Sequence, residues 1–227
     1  DYDYELDTIL KEKNKHALRK ELTLTSSLID IVSVRQKEPL GLGHAIRMAR
    51  KVAEDEPFLV LLGDDLVRSQ SPCCRQMINL YEKVNESIVA IQRVPIDQTY
   101  QYGIVEGKET DFDRTFKVER MVEKPAPGTS NSDMAIIGRY LLMPEIFEAL
   151  SKTTPGHGGE IQLTDALQAV SNQRGMYAYE FEGKRYDAGD KMGYLKAILD
   201  IALDHPSLGE PLRDHISTTI CDCNKPS

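Results

Sequence analysis

Residues 58–67 read F-L-V-L-L-G-D-D-L-V. A continuous apolar run of this length fits a strand buried on both faces. It drives straight into two adjacent carboxylates, Asp64 and Asp65. Burying an unpaired carboxylate is costly, so the pair belongs at the exposed end of the strand, beside a helix terminus, a basic side chain or a metal ion. The flanking segments carry matching periods. Residues 28–35 (L-I-D-I-V-S-V-R) are rich in β-branched side chains and read as a strand. Leu42, Ala45, Ile46, Ala49 and Val52 share one helical face. Residues 73–84 are helical through Met77, Leu80, Tyr81 and Val84, and 87–93 is a further strand. Strand, helix, strand, helix, strand is the pattern of a doubly wound α/β sheet.

Before this core, residues 4–20 place scattered apolar residues among many charges, as one exposed amphipathic helix. After it, strands near 103–106, 115–122 and 134–142 are joined only by loops. Helices at 144–151 and 161–171, a strand at 176–182 and a helix at 191–204 follow. The expected organisation is one α/β domain over 1–208 and a tail, 209–227, without periodicity. A net charge of −8 argues against a nucleic-acid binder, which needs a basic face. No apolar run is long enough to span a bilayer, so no membrane partner is expected. Cys73, Cys74, Cys221 and Cys223 fit neither a zinc knuckle nor a disulfide framework and read as free thiols of a cytoplasmic protein.

Several short motifs could carry chemistry. In an open α/β sheet, ligands bind outside the carboxyl ends of the strands, where Asp64 and Asp65 would suit Mg²⁺, which takes one or two carboxylates and completes its shell with water and phosphates. The competing reading, equally supported by the pair alone, has Asp64 capping the next segment and Asp65 solvated. In K-R-Y-D-A-G-D, 184–190, Asp187 ends a strand and Asp190 is placed to cap a helix. Asp187 could grip the same ion as Asp64, and Lys184 and Arg185 could meet phosphate charge. Glu123 and Lys124 of M-V-E-K-P end an alternating strand before a proline. A surface Glu–Lys pair alone means little, but facing a sugar phosphate the Glu would accept hydroxyls and the Lys would hold the phosphate. Gly41-Leu42-Gly43 precedes a helix N-terminus, and His44 reads as a packed or solvated histidine. Glu160 precedes a helix in G-G-E-I-Q-L-T-D, 158–165.

The order of these motifs is more specific than any one of them. V-R-Q…G-L-G-H-A, L-L-G-D-D, Y-G-I-V, V-E-K-P, I-I-G-R-Y, G-E-I-Q-L-T-D-A and R-Y-D-A-G-D-K-M-G-Y, from about residue 1 to about 213, resemble the bacterial UTP–glucose-1-phosphate uridylyltransferases, also called UDP-glucose pyrophosphorylases. The resemblance implies a Rossmann-like nucleotidyltransferase fold with a mixed, mostly parallel sheet flanked by helices. It implies Mg²⁺ dependence, a homo-oligomer, and the reaction UTP + glucose 1-phosphate ⇌ UDP-glucose + pyrophosphate. Matched motif by motif, Asp64 and Asp187 would hold the metal and Asp65 would support them. Gln36, Gly41 and Gly43 would meet uracil and ribose, and Gly103, Glu123, Lys124 and Gly138 would meet glucose and its phosphate. Lys184 would be a further phosphate contact. The match begins after the family's first strand, its G-x-G-T-R loop and the following helix, so weak turnover by these residues is expected. A non-catalytic sugar-nucleotide binding module and a nucleotide-sugar glycosyltransferase are the alternatives.

Overall fold

The computed structural model describes residues 3–223. It groups the chain into two units, Asp1–Lys37 and Glu38–Ser227. The first holds helices α1 (Tyr4–Glu12) and α2 (His16–Ser27) where the sequence suggested one helix. Asn14 separates them by taking a left-handed φ of +52°, a conformation that ends a helix and that asparagine tolerates. The Arg19 guanidinium forks onto Asp7 at 2.6 and 3.1 Å and ties the two helices together. The expected strand at 28–35 does not form, since this stretch has no ladder partner among the described residues. β-Branched composition favours a strand only where another strand is there to pair with it.

The second unit opens with α3 (Leu42–Met48) and α4 (Arg50–Ala53), then β1 (Phe58–Leu61), β2 (Asp65–Arg68), α5 (Cys73–Val84) and β3 (Ile88–Arg93). Next come β4 (Gly103–Glu109), β5 (Thr115–Glu123), β6 (Met134–Leu142), α6 (Glu145–Lys152) and α7 (Leu163–Gln173). β7 (Tyr177–Glu180), β8 (Lys184–Asp187), α8 (Lys191–Leu203) and α9 (Gly209–Cys223) complete it. The sheet runs β1-β6-β3-β7-β5-β4, and β4 pairs back onto β6, so five strands close on themselves. It is mixed, as expected, but with fewer parallel neighbours than "mostly parallel" suggests: β3–β7 is the parallel pair among the described strands.

β3 shows how the core is built. Val89 and Ile91 pack toward Ile46, Phe147 and Leu167 of α3, α6 and α7, while Ile88 and Ala90 pack toward Met77 and Leu80 of α5. A strand covered by helices on both faces needs an unbroken apolar run, and each large side chain so buried contributes roughly 1.5–3 kcal/mol. The same expectation fails for 58–62. β1 is paired on one side only among the described strands, and Leu61 is 53% exposed. The tail also differs: 209–223 forms α9, which carries on from α8, and the final residues lie outside the described ones. Asp190 caps α8 as expected, accepting from the Gly193 N–H at 2.8 Å. No helix among the described residues is long and apolar enough to cross a membrane.

Candidate active site

The turn after β1 is pinned at once, with the Leu62 N–H donating to the Gly138 carbonyl at 2.9 Å. The chain then enters β2, which forms a two-stranded antiparallel ribbon with β8. The ribbon sets Asp65 opposite Asp187, and Val67 opposite Arg185. Beyond it, the Ala188 N–H donates to the Asp64 carbonyl at 2.7 Å, drawing the two strand ends together. A methyl group added to Gly189 would lie 3.2 Å from both Asp187 Oδ1 and Asp64 Oδ2. These oxygens are therefore within about twice that distance of one another. Asp64 is exposed, and its carboxylate has no partner among the described residues.

Asp65 differs from its neighbour in every respect. It is only 5% exposed. Its Oδ2 accepts from the Gly138 N–H at 2.7 Å, and its Oδ1 from Arg185 Nε. The competing reading of a solvated Asp65 therefore does not hold: this carboxylate ties β2 to β6 and β8. Arg185 also donates to Asp187 Oδ2 at 3.0 Å. Burial works to lower the Arg185 pKa, but the Asp65 hydrogen bond and the charges of Asp65 and Asp187 outweigh it and raise it above its ordinary value. Arg139 adds a second guanidinium under the turn, donating to the carbonyls of Leu62 at 3.1 Å and Gly138 at 2.7 Å and to that of Asp65.

Asp64, Asp65, Arg185 and Asp187, but not Arg139, line a cavity of about 360 Å³. Residues of β4, β5 and the start of α7 add to its lining. Gly103 pairs with Glu123 across the β4–β5 ladder, and Glu123 Oε2 accepts from the Thr164 hydroxyl at 2.5 Å. A side chain at Gly103 would crowd both, at 3.1 and 3.2 Å. Lys124 follows with φ +44°, directly before Pro125, where the left-handed region is disfavoured for a non-glycine residue. Such strain tends to persist where surrounding structure enforces it, often at functional sites. The Lys124 N–H donates to the Tyr102 carbonyl at 3.0 Å, and its ammonium has no ion-pair partner among the described residues. Burial first, then the Glu123 and Asp65 charges, push the Tyr140 hydroxyl above its usual range.

The cavity thus brings together Asp64, Asp65, Gly103, Glu123, Lys124, Gly138 and Asp187. Lys184 is not among them. It lies one residue out of phase with Arg185 on β8, exposed, with its ammonium on Asp200 and 5.0 Å from the Tyr186 ring centre. Gly41 and Gly43 flank Leu42, which does line the cavity. Their lack of side chains has a packing reason: a methyl at Gly41 would lie 2.8 Å from Glu160 Cβ, and one at Gly43 2.6 Å from the Ile161 carbonyl. Gln36 belongs to the first unit. His44 is buried. Thr164, Tyr102 and Tyr140 line the site without having been singled out in sequence. The Thr164 hydroxyl could have been suspected only from its place in Q-L-T-D, where a helix-start role explains it equally well.

Among the described residues no group of three or more His, Cys, Asp or Glu side chains converges as a metal site. The pair Asp64 and Asp187 matches instead an ion that takes one or two carboxylates and leaves the rest of its shell to water and phosphate. Their approach over Gly189, and the unpaired state of Asp64, fit Mg²⁺.

The α/β fold sets paired carboxylates beyond a strand end, an arrangement suited to a divalent ion and the phosphates such an ion binds. The chain belongs to the nucleotidyl transferase family, whose model matches residues 5–203. It is 46% identical over 212 residues to the UTP–glucose-1-phosphate uridylyltransferase of Bacillus subtilis (strain 168), covering 93% of this chain and 72% of that one. It is 44% identical over 208 residues to the enzyme of the same name from Staphylococcus haemolyticus, covering 92% and 72%. Among solved structures, a UTP-bound UGPase from Acinetobacter baumannii superposes with a TM-score of 0.86 at 35% identity, covering 95% of this chain and 75% of that chain. A UDP-glucose pyrophosphorylase complexed with UDP-glucose gives a TM-score of 0.76 at 41% identity, covering 81% and 70%.

Proposed function

We propose that this chain interconverts UTP plus glucose 1-phosphate with UDP-glucose plus pyrophosphate. The observation that carries the reading is a single cavity lined by Asp64 and Asp187 together with Gly103, Glu123 and Lys124, in a chain whose relatives bear that activity in their names. A phosphate oxygen of glucose 1-phosphate attacks the α-phosphorus of UTP in line. The bond from that phosphorus to the bridging oxygen breaks, and pyrophosphate leaves with the electron pair. No covalent protein intermediate is needed, so the protein's work is alignment and charge neutralisation.

Glu123 is held by Thr164 and presents its carboxylate to sugar hydroxyls, while Gly103 leaves room for the ring and Gly138 lines the same cavity. Lys124, held in its strained turn, places its ammonium against the sugar phosphate. Asp64 and Asp187 would hold Mg²⁺, which when bound supplies positive charge to the phosphates. Uracil and ribose are assigned to Gln36, Gly41 and Gly43 by the sequence resemblance alone. A cytoplasmic setting agrees with the free thiols of Cys73 and Cys74, and a homo-oligomer is checked by light scattering.

The test pairs calorimetric titration of UDP-glucose with an assay of UTP formed from UDP-glucose and pyrophosphate, both with Mg²⁺. We expect binding and turnover, with Asp64→Asn lowering the rate by about two to three orders of magnitude, as when a charge-stabilising group is lost. Binding without turnover would favour a sugar-nucleotide binding module. Glucose transfer to an acceptor without pyrophosphate chemistry would favour a glycosyltransferase.

A further inference from the structure

Asp65 and Asp187 face one another across an antiparallel ribbon, where like charges directly opposite destabilise the pairing. Arg185 lies on the same ribbon face and reaches both carboxylates. It is fixed on three sides. Its Nε is bonded to Asp65, whose other oxygen is taken by the Gly138 N–H at 2.7 Å. Its terminal nitrogen meets Asp187 Oδ2 at 3.0 Å, and its central carbon lies 5.6 Å from the Tyr102 ring centre. The side chain is 9% exposed, so it has little freedom to turn toward a substrate.

Asp187 is in turn held at both oxygens, Oδ2 by Arg185 and Oδ1 by the Gly189 N–H at 3.1 Å. Each oxygen keeps a further lone pair for an ion. Asp64, in contrast, is unrestrained by any side chain among the described residues. One ligand of the pair is therefore oriented beforehand and the other adjusts to it. Asp65 is also engaged at both oxygens, but its side chain is only 7% exposed against 38% for Asp187, so it is much the less accessible carboxylate.

We propose that Arg185 is a positioning residue: anchored by buried Asp65, it fixes the Asp187 carboxylate toward Asp64 and so sets the affinity of that pair for a divalent cation. This rests on the reading of Asp64 and Asp187 as the ion's carboxylates. The task needs the planar fork of arginine, because an ammonium is a point charge that cannot bond two separate carboxylates in one fixed plane. Groups that orient metal ligands typically carry 10–100-fold in metal affinity.

Mn²⁺ binding to the whole chain, followed by the electron paramagnetic resonance of free Mn²⁺, separates the possibilities without any turnover. Asp64→Asn is the reference, and circular dichroism establishes that each variant is folded. Arg185→Lys and Asp65→Asn are each expected to weaken Mn²⁺ binding by about tenfold or more. If Asp64→Asn leaves Mn²⁺ affinity unchanged, the two-carboxylate reading fails by itself. If Asp64→Asn weakens binding while folded Arg185→Lys and Asp65→Asn stay within about twofold of the parent, or bind more tightly, the positioning role is overturned. The unmodified chain gives a check independent of both variants: the Arg185 Nε–H resonance is expected to persist through Mg²⁺ saturation. Its loss would mean that the ion displaces the guanidinium, and would also overturn the proposal.

Discussion

Gly138→Ala tests the architecture under the site more directly than any change to a charged residue. A methyl at this position would overlap Asp65 Oδ2 and lie 2.7 Å from Leu62 Cβ and 2.8 Å from Leu62 Cγ. Alanine meets no backbone penalty there, because Gly138 is not among the residues with positive φ. The cost comes from space alone. Asp65 cannot retreat without loosening its bonds to the Gly138 N–H and to Arg185. Overpacking a close-packed site costs about 1–3 kcal/mol, and losing a hydrogen bond to a charged group costs about 1.5–3 kcal/mol. We expect a destabilisation of about 3–5 kcal/mol, a large share of the roughly 5–15 kcal/mol that holds a domain folded. For a chain of this size, 3 kcal/mol lowers Tm by about 6–12 °C. Urea and thermal unfolding followed by circular dichroism measure it, with Gly63→Ala as the control. Nothing lies within 4 Å of a methyl at Gly63, so that change should stay within about 0.5 kcal/mol of the parent. If Gly138→Ala costs no more than Gly63→Ala, Asp65 is not held as described and the account of the site's foundation is wrong.

Lys124→Gly removes an ammonium and a left-handed non-glycine residue together. It is expected to raise stability by about 1 kcal/mol through relief of strain, while UDP-glucose affinity falls about tenfold through loss of a charged hydrogen bond. Unfolding and calorimetry on the same sample should therefore move in opposite directions. Lys184→Ala is expected to leave UDP-glucose affinity nearly unchanged, since this ammonium rests on Asp200 outside the cavity; a tenfold loss would restore the phosphate contact expected from sequence. Burial, then the neighbouring Cys74, pushes the Cys73 thiol from 9.0 up to about 12. Its reactive thiolate is thus scarce near pH 8 and grows as pH rises toward that value. Peptide mapping after iodoacetamide should find Cys73 protected in the folded chain at pH 8 and modified once the chain is unfolded in urea.

Much of this could be read from the sequence wherever a short stretch decides its own fate. Met77 and Leu80 repeat at helical spacing and are both buried on α5, and Asp190 caps the helix it precedes. The two strand-end aspartates were also visible, because an apolar run that stops on a carboxylate has few physical explanations. What escaped depends on pairing between distant residues. β2 and β8 are four-residue strands separated by more than a hundred residues, too short to show a period of their own. Yet their register decides which of Lys184 and Arg185 faces the cavity. Choosing between two adjacent cations is a choice of parity, and a one-residue shift in pairing would exchange them. The difference between Asp64 and Asp65 has the same origin: the residue that enters the ribbon is buried, and the one that precedes it stays free. Residues 28–35 err in the other direction, with strand composition but no ladder partner among the described residues.

The charge of the cavity leads to a last expectation. Its described lining holds the carboxylates of Asp64, Asp65, Glu123, Glu160 and Asp187 against the cations Lys124 and Arg185. Arg185 is already committed to Asp65 and Asp187, which leaves Lys124 as the cation in that lining available to a ligand. A sugar nucleotide brings further negative charge, and at close range in a partly desolvated site like charges repel by several kcal/mol. Shape, the hydrogen bonds of Glu123 and the one ammonium of Lys124 would have to overcome that repulsion. A divalent cation between Asp64, Asp187 and the phosphates would turn repulsion into attraction. Cation and nucleotide should therefore bind with mutual reinforcement, each raising the other's affinity by the same factor. We expect that factor to be about tenfold or more, in line with typical coupling of 1–3 kcal/mol. Calorimetric titration of UDP-glucose into the chain, first with EDTA and then with Mn²⁺, measures one side of the linkage. Titration of Mn²⁺ with and without UDP-glucose measures the other. Equal UDP-glucose affinity under both conditions would mean that the acidic lining does not oppose the ligand, and would remove the electrostatic reason for placing an ion between Asp64 and Asp187.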